Sequence, residues 1–310
     1  VISVLDCSDE TMGLNVFGSP SSPISTRPPY FPGAHFAVSA SAGMWVLACA
    51  SEFITLFVGL ELVSLPAYVL AGYLRTQPRP IEAAFKYFLM GSFASAFLLY
   101  GISILYGLSG GTHYVQIREA LAAGNPSLWI GMASAFLLAG LGFKVALVPF
   151  HAWAPDVYDG APSPMAGFLA TGVKAAGFAA LTRVLTEVTG LLQPLAAGIT
   201  AIAVLTMLIG NLGALAQKSV KRMLAYSSVA HAGYMAVGLA VAGRASATDV
   251  QYSVGFYLLA YTLMTVGAFA VLSWAAGDGE KRVDIEDYRG WGQNHPWGGI
   301  AMTIFLFSLM

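Results

Sequence analysis

Nine apolar stretches follow one another along this chain of 310 residues, at about 35–51, 53–74, 82–107, 127–150, 165–188, 194–217, 220–243, 252–276 and from 297 onward. Most reach the roughly 20 residues that carry a helix across a bilayer. The chain is 57% hydrophobic and only 10% charged, against about 25% charged in an average soluble domain. Its mean hydropathy is +0.69. A soluble fold is excluded, and the stretches predict an all-α, polytopic transmembrane bundle of eight spans, the first of them short, with a partial ninth reaching Met310. A helix that stops inside hydrocarbon leaves carbonyls without partners, so the sequence reads as a fragment.

Composition also excludes several kinds of chemistry. A net charge of −1 offers no basic face for nucleic acid, which needs clustered Lys and Arg. The two cysteines, Cys7 and Cys49, can build neither a disulfide framework nor a thiolate metal site. No dinucleotide, Walker, C-x-x-C or H-E-x-x-H motif is present, so nucleotide, iron–sulfur and zinc chemistry lack their usual handles. Gly107-Leu-Ser-Gly-Gly111 follows a helix rather than a strand and reads as a loop. Metal and cofactor sites are therefore expected to be absent from this chain.

Two segments emerge. Residues 1–33 form a polar, Ser/Pro-rich leader without the basic start of a signal peptide, and 34–310 form the transmembrane domain. Alternate loops differ in charge. One side carries Arg75, Arg79, Lys86, Lys218, Lys221, Arg222, Lys281, Arg282 and Arg289, the other only Arg118, Arg183 and Arg244. The basic side is expected to be cytoplasmic, or its organellar equivalent. Trp129, Trp153, Trp274 and Trp297 fall at expected span ends, where indole rings sit well among headgroups.

Three charges fall near the middle of spans: Glu61, Lys144 and Lys174. Each costs about 2.5–3.5 kcal/mol on the insertion scale, together comparable to the whole stability of an ordinary fold. One reading is a structural ion pair that staples helices, although one acid cannot neutralise two lysines. The sharper reading is a proton path, in which making and breaking a Glu–Lys pair moves lysine between charged and neutral forms. Pro66 and Pro149 each remove a helical hydrogen bond beside one of these charges, at Leu62 and at Val145. Gly140 and Gly142 flank Lys144, and Gly172 and Gly177 flank Lys174; close helix packing and room for water both account for them.

Two histidines add candidates. His231 lies near the centre of the seventh span with Ser227 and Ser228 one turn earlier, placed either to relay protons or to rest as a neutral, serine-bonded core residue. His151 follows the Pro149 break, in a re-entrant mouth or at the interface, and ranks below His231. Arg183 and Glu187 are spaced for a local pair. Lys221 reads as a topology anchor or a proton entrance.

The wording of the chain resembles a known family. Gly59-Leu-Glu-Leu-Val-Ser-Leu-Pro66, the run from Gly142-Phe-Lys through Pro149-Phe-His to Asp156-Val-Tyr-Asp-Gly-Ala-Pro162, and Lys221-Arg-Met-Leu-Ala-Tyr-Ser-Ser-Val-Ala-His-Ala-Gly-Tyr234 are similar to the antiporter-like membrane subunits of proton-pumping NADH:quinone oxidoreductase, respiratory complex I. The Asp156-Val-Tyr and Ala230-His-Ala-Gly-Tyr wording points to the subunit N branch. Sister subunits and Mrp-type cation/proton antiporters share the lysine helices. The resemblance covers about 30–310, including Lys86-Tyr-Phe and Gly290-Trp-Gly-Gln-Asn-His-Pro. It implies inverted five-helix repeats with discontinuous helices, and a site at the membrane midplane. It also implies a translocase in which Glu61 modulates Lys144, and Lys174 continues a hydrated axis with His231. Its partners would be the other membrane-arm subunits, the lipid bilayer, protons and water, and NAD, FMN, iron–sulfur clusters and quinone would sit in partner subunits. The implied location is a bacterial inner membrane or its organellar equivalent. Rival readings are an Mrp-type Na+/H+ antiporter subunit, and a structural membrane protein whose buried charges only lock helices together.

Overall fold

A computed structural model describes residues 33–74, 78–124, 128–277 and 283–309. The leader, apart from Gly33, lies outside the described residues, as do Arg75, Lys281 and Arg282. The described residues are helical: α1 Ala34–Cys49, α2 Phe53–Ala71, α3 Pro78–Ser109, α4 Tyr114–Ala123, α5 Leu128–Lys144, α6 Trp153–Gly160, α7 Ser163–Phe168, α8 Lys174–Glu187, α9 Leu192–Leu215, α10 Val220–Ala240, α11 Ala247–Ala276, α12 Trp291–Asn294 and α13 Pro296–Ser308. A π-helical turn, Leu169–Val173, joins α7 to α8.

Each of the nine apolar stretches contains a helix, which is what an oily chain must do to satisfy its own backbone. Five helices among the described residues are long and apolar enough to cross a membrane: α2, α3, the continuous 163–187, the 195–215 part of α9, and α11. Three apolar ones are shorter, α1, α5 and α13. α10 has the length, at 21 residues, but carries Lys221, Arg222 and His231 and is more polar. The chain is an integral membrane protein.

Sequence neighbours pack as helix pairs, α1 on α2 and α9 on α10, while α3 lies against α5 and α6. The α9–α10 contact is tight enough that a Cβ at Gly210 would come within 2.5 Å of the Ala230 nitrogen. The bundle's exterior is largely Leu, Ile, Val and Phe, as lipid requires; Leu212 is 66% exposed and Phe256 77%.

Apart from Glu61, Lys144 and Lys174, which lie within the spans, ion pairs gather toward two ends of the bundle. At one, Asp156 holds Arg222 at 2.6 Å and Lys86 at 3.0 Å, and Lys218 pairs its carbonyl with the Ile285 amide. At the other, Arg183 reaches the Ala48 carbonyl and pairs with Glu187 at 2.8 Å, the local pair its spacing anticipated. Trp129, Trp274 and Trp297 are exposed near helix ends. Trp153 is different: it is 1% exposed and stacks on Tyr87, ring centroids 4.4 Å apart. The headgroup role expected for it is wrong, because the chain turns inward after α5 and carries this indole into the core.

Candidate functional site

The break in the fourth apolar stretch creates the first half of the site. α5 ends at Lys144 rather than continuing toward 150, and Ala146 adopts φ +60°. Pro149, joined to Val148 by a cis peptide bond, lies in the turn beyond the helix, so it does not act as a kink within a span. The freed backbone groups find partners: the Val148 amide donates to Thr206 Oγ1 on α9 at 3.0 Å, and Trp153 Nε1 donates to the Phe143 carbonyl at 2.9 Å. α2, by contrast, runs unbroken through Pro66.

Lys144 thus sits at a helix C-terminus, 2% exposed, where carbonyl dipoles favour a cation. Its Nζ donates to Ser64 Oγ on α2 at 2.8 Å and lies 5.9 Å from the Tyr87 ring centroid on α3. Ser64 in turn donates to the Leu60 carbonyl at 2.6 Å. Glu61, one turn earlier on α2 and half-buried, accepts a hydrogen bond from Ser95 Oγ on α3 at 2.5 Å. The carboxylate is within Coulombic range of Lys144, but the two make no ion pair among the described residues.

Lys174 heads α8 immediately after the π turn and is 1% exposed. Its Nζ donates to the Ser228 carbonyl of α10 at 2.7 Å and to Ser228 Oγ. Tyr261 of α11 meets Ser228 Oγ at 2.7 Å, and its ring centroid is 5.7 Å from Lys174 Nζ. His231 lies one turn beyond Ser228. Its Nδ1 meets Tyr257 Oη at 2.7 Å and its Nε2 the Leu309 carbonyl at 3.1 Å. It is therefore not held by serine; Ser228 is committed to Lys174 and Tyr261. Its ring lies 5.2 Å from that of Tyr261, which brings His231 and Lys174 into one cluster.

An aromatic stack leads away from Lys144, Tyr87 on Trp153 and Trp153 against Tyr158, the last pair 5.9 Å apart. The hydroxyl of Tyr87 is buried without a hydrogen-bond partner, an expensive state for a polar group in a dry interior, whereas that of Tyr158 lies beside Ser228. The glycines serve close packing. A Cβ at Gly177 would fall 2.8 Å from Val145 Cγ1 and 3.4 Å from Lys144 Cγ, so this glycine lets α8 lie against the α5 break.

Two candidates stand apart. His151 occupies the turn between α5 and α6, half-buried, with a buried Nδ1 lacking a partner. Lys221, 8% exposed, donates to the Ala161 carbonyl at 3.0 Å near the basic end of the bundle. Near it a crevice of about 230 Å³ is lined by Arg79, Glu82, Lys86, Asp156, Asp159 and Arg222. Ser64, Ser95, Tyr257 and Tyr261 carry the site with the expected residues but were not singled out from sequence; Ser64 has a helical offset from Glu61 and Tyr257 one from Tyr261, while Ser95, on another helix, has no such signal.

Comparison with known proteins places these features in a wider set. A sequence profile of the NADH:quinone oxidoreductase/Mrp antiporter transmembrane family matches residues 50–310. NADH-quinone oxidoreductase subunit N 1 of Sorangium cellulosum is 50% identical over 282 residues, covering 87% of this chain and 55% of that protein. Subunit N of Trichlorobacter lovleyi is 45% identical over 274 residues, with the same coverage of 87% and 55%. The chain spans about half the length of these curated relatives. Among solved structures, a chain of respiratory complex I from Thermus thermophilus with bound aureothin aligns at TM-score 0.76 and 42% identity, over 91% of this chain and 60% of that one. A chain of the archaeal membrane-bound sulfane sulfur reductase aligns at TM-score 0.78 and 27% identity, over 92% and 57%.

Proposed function

This chain belongs to the NADH:quinone oxidoreductase/Mrp antiporter family, and from that premise we propose that it is a proton-translocating membrane-arm subunit of an NADH:quinone oxidoreductase. In this reading the redox chemistry, with its NAD, FMN, iron–sulfur clusters and quinone, belongs to partner subunits in the same bacterial or organellar membrane. This chain moves protons along Glu61, Lys144, Lys174 and His231. The leader at 1–33 is assigned no role, and 34–310 is the translocating domain.

One observation carries the reading: Lys144 and Lys174 are both buried and both bound to serine oxygen, and neither makes an ion pair among the described residues. A lysine kept to staple helices is expected against a carboxylate, since an unpaired buried charge destabilises a fold. A lysine that exchanges its proton is better served by a neutral hydroxyl, which accepts from the ammonium and donates to the amine. Glu61 supplies the bias. Held by Ser95, it acts on Lys144 only through space; swung toward Lys144, it favours the charged lysine, and its return favours release of the proton. His231 extends the second cluster with a group able to hold or pass a proton at either ring nitrogen. Lys221 and the charged crevice near it mark the entrance side, and His151 flanks the break.

The relatives named NADH-quinone oxidoreductase subunit N favour this assembly over a stand-alone antiporter. The test is Lys144→Ala in the complete enzyme, with protons moved per electron measured in proteoliposomes. Loss of pumping is expected, and pumping at the wild-type ratio rejects the assignment. Replacing Glu61 and Lys144 together by apolar residues of similar size separates transport from a structural role, which would tolerate the exchange.

A further inference from the structure

Asp156 joins three helices through one carboxylate. It stands in the first turn of α6, where the helix dipole favours an anion. One oxygen meets Arg222 Nη1 of α10 at 2.6 Å, and the other meets Lys86 Nζ of α3 at 3.0 Å. Both partners are themselves oriented: Lys86 also pairs with Glu82 at 2.7 Å, and Arg222 Nε donates to Gln217 at 3.2 Å. Asp156 and Arg222 are half-buried and Lys86 is exposed, and ion pairs this close to solvent add little stability. What they fix is direction, because a carboxylate anchored at both oxygens holds α6 against two helices at once.

The position of α6 matters because its first residue closes the break beside Lys144. Trp153 Nε1 donates to the carbonyl of Phe143, the residue before the lysine, at 2.9 Å. The same indole stacks on Tyr87 with 11° between the ring planes, and the Tyr87 ring lies 5.9 Å from Lys144 Nζ. Trp153 and Asp156 are three residues apart and so share one face of α6. Their partners on α3, Tyr87 and Lys86, are adjacent in the chain. A charged contact and an aromatic contact thus form two rungs, one turn apart on α6, between the same pair of helices.

The far end of α6 has its own fittings. A Cβ at Gly160 would fall 2.5 Å from Ala83 Cβ, Ser219 Oγ donates to Asp159 at 2.5 Å, and Lys221 Nζ donates to the Ala161 carbonyl at 3.0 Å. Those contacts pin the C-terminal end, whereas Asp156 holds the turn that carries Trp153. With only 8 residues, α6 has little length over which to bend, so a displacement at Asp156 reaches the indole.

We propose that Asp156 is a positioning residue for Lys144: by holding the first turn of α6 against α3 and α10 it keeps the Trp153 indole on the Phe143 carbonyl, and so fixes the end of α5 where the lysine stands. Lys144 Nζ reaches Ser64 Oγ at 2.8 Å, and a misplacement of about 1 Å costs a transfer step on the order of 100-fold. The inference rests on the preceding reading in one respect, that Lys144 carries protons. The hold on the break is independent of it.

The amides of Val145, Ala146, Leu147 and Val148 are all hydrogen-bonded within the break, so their exchange with solvent deuterium reads its opening. It is measured in the complete enzyme carrying the full-length subunit. Asp156→Asn is expected to raise this exchange about 3-fold, the loss that partly exposed ion pairs produce, while Asp156→Glu stays near the wild-type rate. Trp153→Phe keeps a ring against Tyr87 and removes the donor, and should raise exchange about 5-fold. The double variant Asp156→Asn/Trp153→Phe should exchange no faster than Trp153→Phe alone, because both changes act through one hydrogen bond. Unchanged exchange in Asp156→Asn, or effects that multiply in the double variant, overturns the proposal. Should Asp156→Asn fail to assemble, Arg222→Gln, which removes one partner and leaves Lys86, takes its place with the same two outcomes. Protons moved per electron are measured on the same preparations, where a fall in Asp156→Asn that Asp156→Glu restores supports the role at Lys144. An opened break in an enzyme that pumps at the wild-type ratio refutes the proton path through Lys144 and leaves the hold of Asp156 on the break standing.

Discussion

Lys144 gives its proton-bearing nitrogen to Ser64 at 2.8 Å, while Glu61, one turn earlier on the same helix, is held by Ser95 on another. The two residues with opposite charge are thus kept apart by two serines, each able to exchange partners by rotating one bond. Ser64→Ala removes the oxygen that receives the buried ammonium. A hydrogen bond to a charged group is worth about 1.5–3 kcal/mol, which is tenfold or more in the population of the bound, charged lysine. Proton pumping in proteoliposomes is expected to fall by about that factor, with quinone reduction reduced less. Pumping at the wild-type rate in Ser64→Ala would show that this contact has no part in transfer.

The hydroxyl of Tyr87 lies buried without a hydrogen-bond partner, its ring beside Lys144 and stacked on Trp153. Tyr87→Phe removes an unsatisfied polar group and leaves that ring stack in place. The change is expected to raise thermal stability by about 1 kcal/mol, where most substitutions in a packed interior lower it. If protons leave Lys144 by way of this hydroxyl, pumping per electron drops in the same variant. A fall in melting temperature on Tyr87→Phe would mean that the hydroxyl has a bound partner that stabilises the fold.

Glu61, Lys144 and Lys174 were legible because charge in hydrocarbon is costly and a sequence does not keep it idly. The helices were legible for the same reason, since a long oily run has almost no other way to satisfy its backbone. Pro149 pointed to a break but misplaced its cause. α5 stops at Lys144, and the positive φ of Ala146 has no signal in an alanine. Ser64, Ser95, Tyr257 and Tyr261 were invisible, because Ser and Tyr are unremarkable in spans and their partners lie up to 80 residues away. The ion pair between Glu61 and Lys144 was expected from charge alone; geometry gives each a hydroxyl instead. Trp153 was misread because an indole at the end of an apolar run serves an interface or a core equally well.

The break depends on one hydroxyl from another helix. Thr206 Oγ1 is fully buried, accepts the Val148 amide at 3.0 Å and donates to the Ile202 carbonyl at 2.6 Å. Thr206→Val keeps the shape and leaves that amide without an acceptor, at a cost of about 1–3 kcal/mol. Thermal unfolding of the purified complex should register the loss, and Thr206→Ser should restore most of the stability. Because the same turn sets the end of α5, Thr206→Val is also expected to lower pumping more than quinone reduction. Equal stability of the Val and Ser variants would show that the Val148 amide is satisfied in another way.

Glu52 ties the α1–α2 connection to the segment before α4. Its carboxylate accepts from Thr55 Oγ1 at 2.6 Å and from Thr112 Oγ1 at 3.1 Å, with His113 Nε2 3.6 Å away. The hydrogen bond from Thr55, then that from Thr112, holds its pKa below the ordinary glutamate value of about 4.5. A carboxylate with a lowered folded-state pKa contributes stability that is complete above the ordinary value and is lost as pH falls through it and below. Thermal stability of this end of the bundle should therefore be flat with respect to Glu52 above pH 5 and decline below about 4.5. Glu52→Gln, whose single amide oxygen can accept from only one of the two threonines and which cannot ionise, should be less stable than wild type at pH 7 and should flatten that acid decline. A melting curve for Glu52→Gln that falls in parallel with wild type below pH 4.5 would assign the acid sensitivity to other carboxylates.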